Sequence, residues 1–485
     1  VKSLPPDEQF SNEYKWDIVK TKAQLILTSK LVMLTSGNWD SLADIRNVYT
    51  EKIFNLPTGA DRWSNDLFFG LQRVCSLNHS LIELCTAIPE KLPVTDEMLK
   101  PLLQGLTLQE ALDQKRLFIC DLKILEGLPV RPDFVLCAPI GLFFVDSQQQ
   151  LRPVAIQLFQ KPGPDNPIFL PTDHSLTWAL VKMWYNNADA AYHQSLTHLG
   201  FTHLLMEGVV VSTHRHRGLE LLVCENGWVD KTMNFGIKGM FELIARGINS
   251  WRLDVHGTLP EDLKQRGLQD LNVLPCYHFR NDALLHYEAI NKYVKKYVTL
   301  YYDTDEKLKE DWEVQAWAAE LVKPRDNDKG GCGLLGVPGN GQFTSVDQLI
   351  TVVTSIIYTC SVSHASTNFP QYDEYGFPPN YPGLLRGTPP KTKAEVTEAA
   401  ILWALPDRPT TLDIMIVTKI LSQRGTKPIG DFEVQYVFDD KAREIVDDFR
   451  RDMAQISKKI KERNLRRNPP YTYLDPDIVP NSISI

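Results

Sequence analysis

Three histidines stand within the eleven residues HQSLTHLGFTH, at positions 193, 198 and 203, inside a stretch that otherwise reads as helix. Imidazole is the commonest nitrogen ligand for first-row metals, so the stretch is a candidate metal site. The spacing is awkward, because residues five apart on an α-helix are separated by about 140° around the axis. A π-turn resolves this: one i to i+5 hydrogen-bonded turn widens the helix and returns five-apart residues to one face. The bland alternative is three buried histidines, each hydrogen-bonded to a neighbour. The spacing alone does not decide which of His193, His198 and His203 would bind.

A second cluster, SVSHASTNFPQYD, places His364 and Asn368 four residues apart. They share a helical face without any bulge and can offer an imidazole nitrogen and an amide oxygen to one point. This donor set lacks an anion. The chain closes with PPYTYLDPDIVPNSISI, an apolar tail. Burying its carboxylate would be costly unless a cation receives it, so the Ile485 carboxylate is a candidate fifth ligand. Nitrogen and oxygen donors with one carboxylate and no thiolate suit non-haem iron, whereas five protein ligands would leave zinc little use as a hydrolytic centre.

Elements must carry these groups. LITVVTSIIYTCSV (349–362) leads into His364 and reads as a helix buried in protein, at 14 residues shorter than a membrane span, with Ser345 and Gln348 as its capping pair. Thr172 or Asp173 is expected to cap the helix beginning near Ser175. FVLCAPIGLFFVD and LRPVAIQLFQ read as a β-hairpin, the first hundred residues as mostly helical, and Ile445, Phe449, Met453, Ile456 and Ile460 as the apolar face of a long charged helix.

Composition narrows the classes. With 43% hydrophobic and 23% charged residues and a net charge of −8, the 485-residue chain reads as a packed soluble protein and not as a binder of nucleic acid. Eight cysteines without a C-x-x-C pair suggest reduced thiols in the cytoplasm. VKSLPPDEQF lacks the apolar centre of a signal peptide. Gly331-Cys332-Gly333-Leu334-Leu335-Gly336 has the letters of a dinucleotide loop, but Pro338 and further glycines follow where a helix should start, so a flexible surface loop is expected. No H-E-x-x-H occurs, and His214 and His216 read as surface or local structural residues.

Taken together, WSNDLFFG, LPVTDEML, ILEGLP, AIQLFQKPGPDNPIFLPTD, HQSLTHLGFTH, YHFRNDA, SVSHASTNFPQYD and the terminal PYTYLDPDIVPNSISI closely resemble the catalytic domain of an animal lipoxygenase. The resemblance implies a mainly α fold: residues 1–485 as one large helical catalytic domain with a small β-rich subregion. The family's N-terminal β-sandwich, which binds membranes, is not in this chain, and about two dozen family residues are missing between His216 and Arg217.

The resemblance further implies one non-haem iron held by His198, His203, His364, Asn368 and Ile485, with His193 behind them. Gln194 and Gln371 fall where the family links ligands to the substrate pocket, and Leu199 and Leu204 are candidates to line it. Gly218 occupies the stereocontrol position where glycine accompanies R products, and Arg217 could meet a fatty-acid carboxylate. The implied partners are O2 and a polyunsaturated fatty acid such as arachidonate, converted to a chiral hydroperoxide after hydrogen abstraction from a bis-allylic methylene. A hydroperoxide isomerase and a catalytically impaired scaffold are the alternatives. The implied location is cytoplasmic, with membrane contact transient or through the sandwich domain.

Overall fold

The computed structural model describes residues 37–49, 54–213, 228–325, 330–423, 427–431 and 437–483. At its centre lies a helix, Ser175–Tyr192, buried at every residue from Thr177 to Ala191. A helix apolar on one side only needs a single partner; this one is surrounded, and its few charges are paired. Lys182 bonds Asp66 and the Ser64 carbonyl, each at 2.6 Å, and Asp189 faces Arg73 at 3.6 Å.

Glu398–Ala404 and Leu151–Gln157 touch it and Asp66–Cys75 is tied to it through Asp66 and Arg73, while His278–Tyr301 packs against Asp66–Cys75, Val346–Tyr358 and finally Asp440–Asn464. The last of these buries Val446, Phe449, Met453, Ile456 and Ile460, while Ile445 is only half-buried: Val446 takes the place expected for it. Its charged side is partly used, since Lys292 and Lys296 of His278–Tyr301 bond Asp452 and Asp448, both at 2.7 Å.

Four antiparallel strands form one sheet in the order β1 (Glu83–Leu84), β2 (Leu117–Asp121), β3 (Ile140–Val145), β4 (Leu151–Gln157). The expected hairpin is β3–β4. Strand β3 is buried throughout: Phe143 and Val145 join the main core, and Ile140, Leu142 and Phe144 a second cluster. Its unbroken apolar run follows from burial on both faces. Strands β1 and β2 lie in or near the region expected to be helical, where the described helices are short apart from Asp66–Cys75. That helix approaches β4 so closely that a Cβ on Gly70 would sit 2.0 Å from the Leu151 carbonyl oxygen.

Two capping expectations are corrected. His174 is the N-cap of the central helix and makes no capping bond; Asp173 instead turns back to the Leu170 amide (2.8 Å) and Lys393 (3.0 Å). Ser345 does stand at the N-cap of Val346–Tyr358, but its hydroxyl caps nothing, and the Gln348 side chain accepts from the Thr344 amide at 2.7 Å. The Asp305 carboxylate takes the Val346 amide at 2.8 Å, so the cap comes from another element.

The helical run Val346–Tyr375 spans 30 residues, longer than expected, and by length and composition could cross a membrane; 67% of its apolar window is buried inside the molecule. The glycine-rich segment is a loop, as expected, and it is anchored: the amides of Gly331, Cys332, Gly333 and Leu334 bond the carbonyls of Pro324, Glu320, Lys323 and Leu321. The seven cysteines among the described residues are free thiols.

Candidate metal centre

The central helix runs without a break into a π-helix at His193–Leu204. Widening the ladder brings His198 and His203 to one side, their rings at 86° with centroids 4.8 Å apart. Thr202 donates its hydroxyl to the His198 carbonyl, four residues back. Such back-bonding relieves carbonyls that the stretched ladder serves poorly. Gly200 faces the Ser195 carbonyl oxygen, which a Cβ would approach to 2.9 Å.

The opposite wall has a second π-turn, Thr359–Ser363, directly before His364. Ser361 donates to the Ile357 carbonyl at 2.6 Å in the same manner. This turn was not foreseen. The run of Ser and Thr in YTCSVSHAST was the available signal, since hydroxyls that bond back along a helix favour distortion.

His198, His203 and His364 meet in the interior, at 6%, 4% and 1% exposure, with one nitrogen of each within 4.8 Å of the others. His203 Nε2 lies 3.2 Å from His198 Nε2 and 3.2 Å from His364 Nε2. Burial pushes His198 well below the ordinary imidazole range and His203 down to about 4, so these rings present lone pairs at neutral pH. His203 Nε2 can donate one proton to one neighbour at most, which leaves the arrangement short of hydrogen. A cation among the three nitrogens removes the conflict: two donors about 2.1 Å from one ion at right angles stand about 3.0 Å apart. The residues therefore fit a metal with nitrogen ligands.

Asn368 completes this side. Its amide nitrogen donates to the Leu421 carbonyl at 2.6 Å, and its oxygen accepts from Gln371 Nε2 at 2.8 Å while its side chain also bonds His198. Gln371 in turn accepts from Gln194 Nε2 at 3.1 Å. The chain Gln194–Gln371–Asn368 thus ties the π-helix to the facing helix and aims the amide oxygen.

His193 is fully engaged elsewhere. Its Nε2 lies 2.8 Å from the Thr367 carbonyl, which can only accept, so Nδ1 must accept from the Tyr375 hydroxyl at 2.9 Å. Burial lowers its pKa to about 3, consistent with a neutral ring. Leu199 and Leu204 are half-buried against a separate apolar cluster that includes Met233, Phe235, Met240 and Ile414. Arg217, Gly218, His214, His216 and Ile485 lie outside the described residues. The described part of the tail is tied down: Val479 accepts from the Ile429 amide at 2.8 Å, Leu474 accepts from His286, and Ile483 packs against the main core.

The family model described as Lipoxygenase matches residues 58–219 and 217–469, two segments that meet near the His216–Arg217 junction. A hydroperoxide isomerase of Mus musculus is 33% identical over 483 residues, covering 93% of this chain and 66% of its own. An arachidonate 12-lipoxygenase of 12R type from the same species is also 33% identical, covering 92% of this chain and 67% of its own. The crystal structure of a coral 8R-lipoxygenase superposes with a TM-score of 0.92 at 32% identity, over 100% of this chain and 76% of that one. A lipoxygenase crystallised in complex with arachidonate gives 0.91 at 31% identity, over 100% of this chain and 77% of that one.

The chain belongs to the lipoxygenase family. It spans about two thirds of the length of the curated relatives it matches.

Proposed function

We propose that this protein is a non-haem iron dioxygenase that inserts O2 into a polyunsaturated fatty acid of the arachidonate type and releases a chiral hydroperoxide of R configuration. The observation that carries the proposal is the convergence of three buried, neutral imidazoles on one point. In this reading His198, His203, His364, Asn368 and the Ile485 carboxylate hold the metal. Bound there, iron would supply the one-electron redox chemistry needed to take a hydrogen atom from a bis-allylic methylene.

The chain's own residues do the rest. Gln194 and Gln371 hold the Asn368 oxygen in one orientation, so the ligand field on that side is set by a network and not by one side chain. His193 braces the two π-distorted helices by bonding across them to Thr367 and Tyr375. Leu199 and Leu204, each one residue after a ligand, pack against an apolar cluster and are proposed to line the acyl path, keeping water from the radical. Arg217 is proposed to receive the carboxylate and Gly218 to leave room for O2 on the face that gives R products. The relatives named 12R and 8R are consistent with that choice. About two dozen family residues are missing at the adjoining junction on this reading, through either a shortened pocket roof or a segment left out of this sequence.

A second reading has its own support, because a relative at 33% identity is named a hydroperoxide isomerase. Arachidonate and its hydroperoxide, supplied separately to iron-loaded protein, distinguish the two. Growth of conjugated-diene absorbance and O2 uptake with arachidonate, followed by an R product on a chiral column, is the expected result. Consumption of the hydroperoxide with no O2 uptake from arachidonate would make the isomerase the correct assignment. We place the protein in the cytoplasm, with membrane contact transient or carried by the family's N-terminal β-sandwich domain.

A further inference from the structure

We infer that a second ligand site, for a single-chain amphiphile with a carboxylate head, lies in the cleft between the Asp66–Cys75 helix and the turn after Asp440–Asn464. This cleft of about 520 Å3 contains none of the proposed metal ligands or pocket residues, so the inference does not depend on the dioxygenase reading. Its volume falls within the range of small-molecule sites.

The walls are two-sided. Phe68 and Leu151 are buried in the floor, and Leu67, Leu71 and the Cys276 thiol continue it half-exposed. The rim holds Arg62 and Arg466 with the amides of Asn65 and Asn468, and Arg467 lines the cleft from a buried position. One end suits an acyl chain and the other an anion.

Charge bookkeeping at the rim favours the anion. Arg467 shares the fully buried Asp282 with Arg463, at 2.5 and 2.6 Å, so one carboxylate serves two guanidiniums. Asp61 is committed to Arg46 and Asp66 to Lys182. Arg62 bonds only a neutral amide, Asn468 Oδ1 at 2.9 Å, and Arg466 has no side-chain partner among the described residues. His278, also in the wall, is held at about 4 by burial and by Arg467, so it adds no proton of its own at neutral pH. Arg62 and Arg466 thus present two guanidiniums with no ion-pair partner among the described residues, on a protein of net charge −8. Guanidinium forks match a carboxylate in geometry as well as in sign.

The test uses the full chain and a dodecanoate with a terminal diazirine, photolysed and mapped by peptide mass spectrometry. Labelling is expected on peptides carrying Leu67, Phe68, Leu71 or Cys276, and it should be competed by dodecanoate. The double variant Arg62→Gln, Arg466→Gln removes two solvent-reaching charges and no core contact. It should lower that labelling about five-fold and leave labelling near His193–Leu204 unchanged. Labelling confined to the metal-centre helices, or unchanged in the double variant, would overturn the inference. So would equal competition by dodecyltrimethylammonium, which would show an apolar hollow without anion choice. Equal competition by inorganic phosphate would show a small-anion site in place of an amphiphile site.

Discussion

Tyr375 shows how much of the centre rests on residues that touch no metal. Its hydroxyl donates to His193 Nδ1 in the tautomer that the Thr367 carbonyl fixes, and the ring itself is buried. Tyr375→Phe leaves His193 Nδ1 as an unsatisfied buried acceptor, so the variant is expected to lose about 1–3 kcal/mol of stability, read as a lower thermal midpoint. Gln371→Leu removes both the donor to Asn368 and the acceptor for Gln194 while keeping the volume. Metal should remain bound, with turnover down about 10–100-fold, measured as O2 uptake per iron. A variant that kept full turnover would show that the amide chain has no positioning role. At this scale the sequence was legible by residue type: the histidines and the asparagine are the side chains whose nitrogen and oxygen atoms could meet at one point. It did not say which of three histidines would be left out. That depends on Thr367 and Tyr375, which come from another part of the chain.

Helices bring those residues together, and here the account depends on two departures from regular geometry. The π-helix at 193–204 was inferred from the five-residue spacing, because only a widened turn makes that spacing useful. The π-turn at 359–363 left no such mark, since its only ligand-bearing neighbour, His364, follows it. Caps were also illegible: Asp305 supplies one from far along the chain. Deleting Leu199 tests the first departure. One residue fewer in the box places the histidines four apart and lets the segment close to ordinary α-helix, turning His203 by about 100° relative to the present backbone. A pair four apart can still bind a metal, so the outcome lies in registry: His203 would no longer face His364, and iron retention should fall sharply while far-ultraviolet circular dichroism barely changes. Undiminished iron in the deletion variant would mean that the π-geometry is dispensable. The helix Gly236–Ile248 sets a related limit. A Cβ on Gly247 would fall 2.3 Å from Leu196 in the box, so Gly247→Val should destabilise by about 1–3 kcal/mol, seen in a denaturant melt.

Across the whole molecule, the centre joins parts distant in sequence: the π-helix, the His364–Asn368 helix and the Leu421 carbonyl. Metal that binds only this folded arrangement must stabilise all of it. Chelator-treated protein is therefore expected to melt at a lower temperature than the iron-loaded form, with recovery on adding ferrous iron. Identical melts would argue that no such linkage exists. The mainly helical build as a whole was implied by the resemblance, whereas the long Asp440–Asn464 helix and the β3–β4 hairpin were readable from periodicity and turn residues. The full sheet was not, because β1 has only two residues and β2 is identified by its partners, not by its own pattern.

Iron per chain is the measurement closest to the central claim. Protein loaded anaerobically with ferrous iron and desalted should hold about one iron per chain by mass spectrometry, while His203→Ala, with its fold confirmed by circular dichroism, should hold almost none. The same loss is expected when one residue is added after Ile485. An unloaded wild type, or a His203→Ala variant that keeps its iron, would contradict the account.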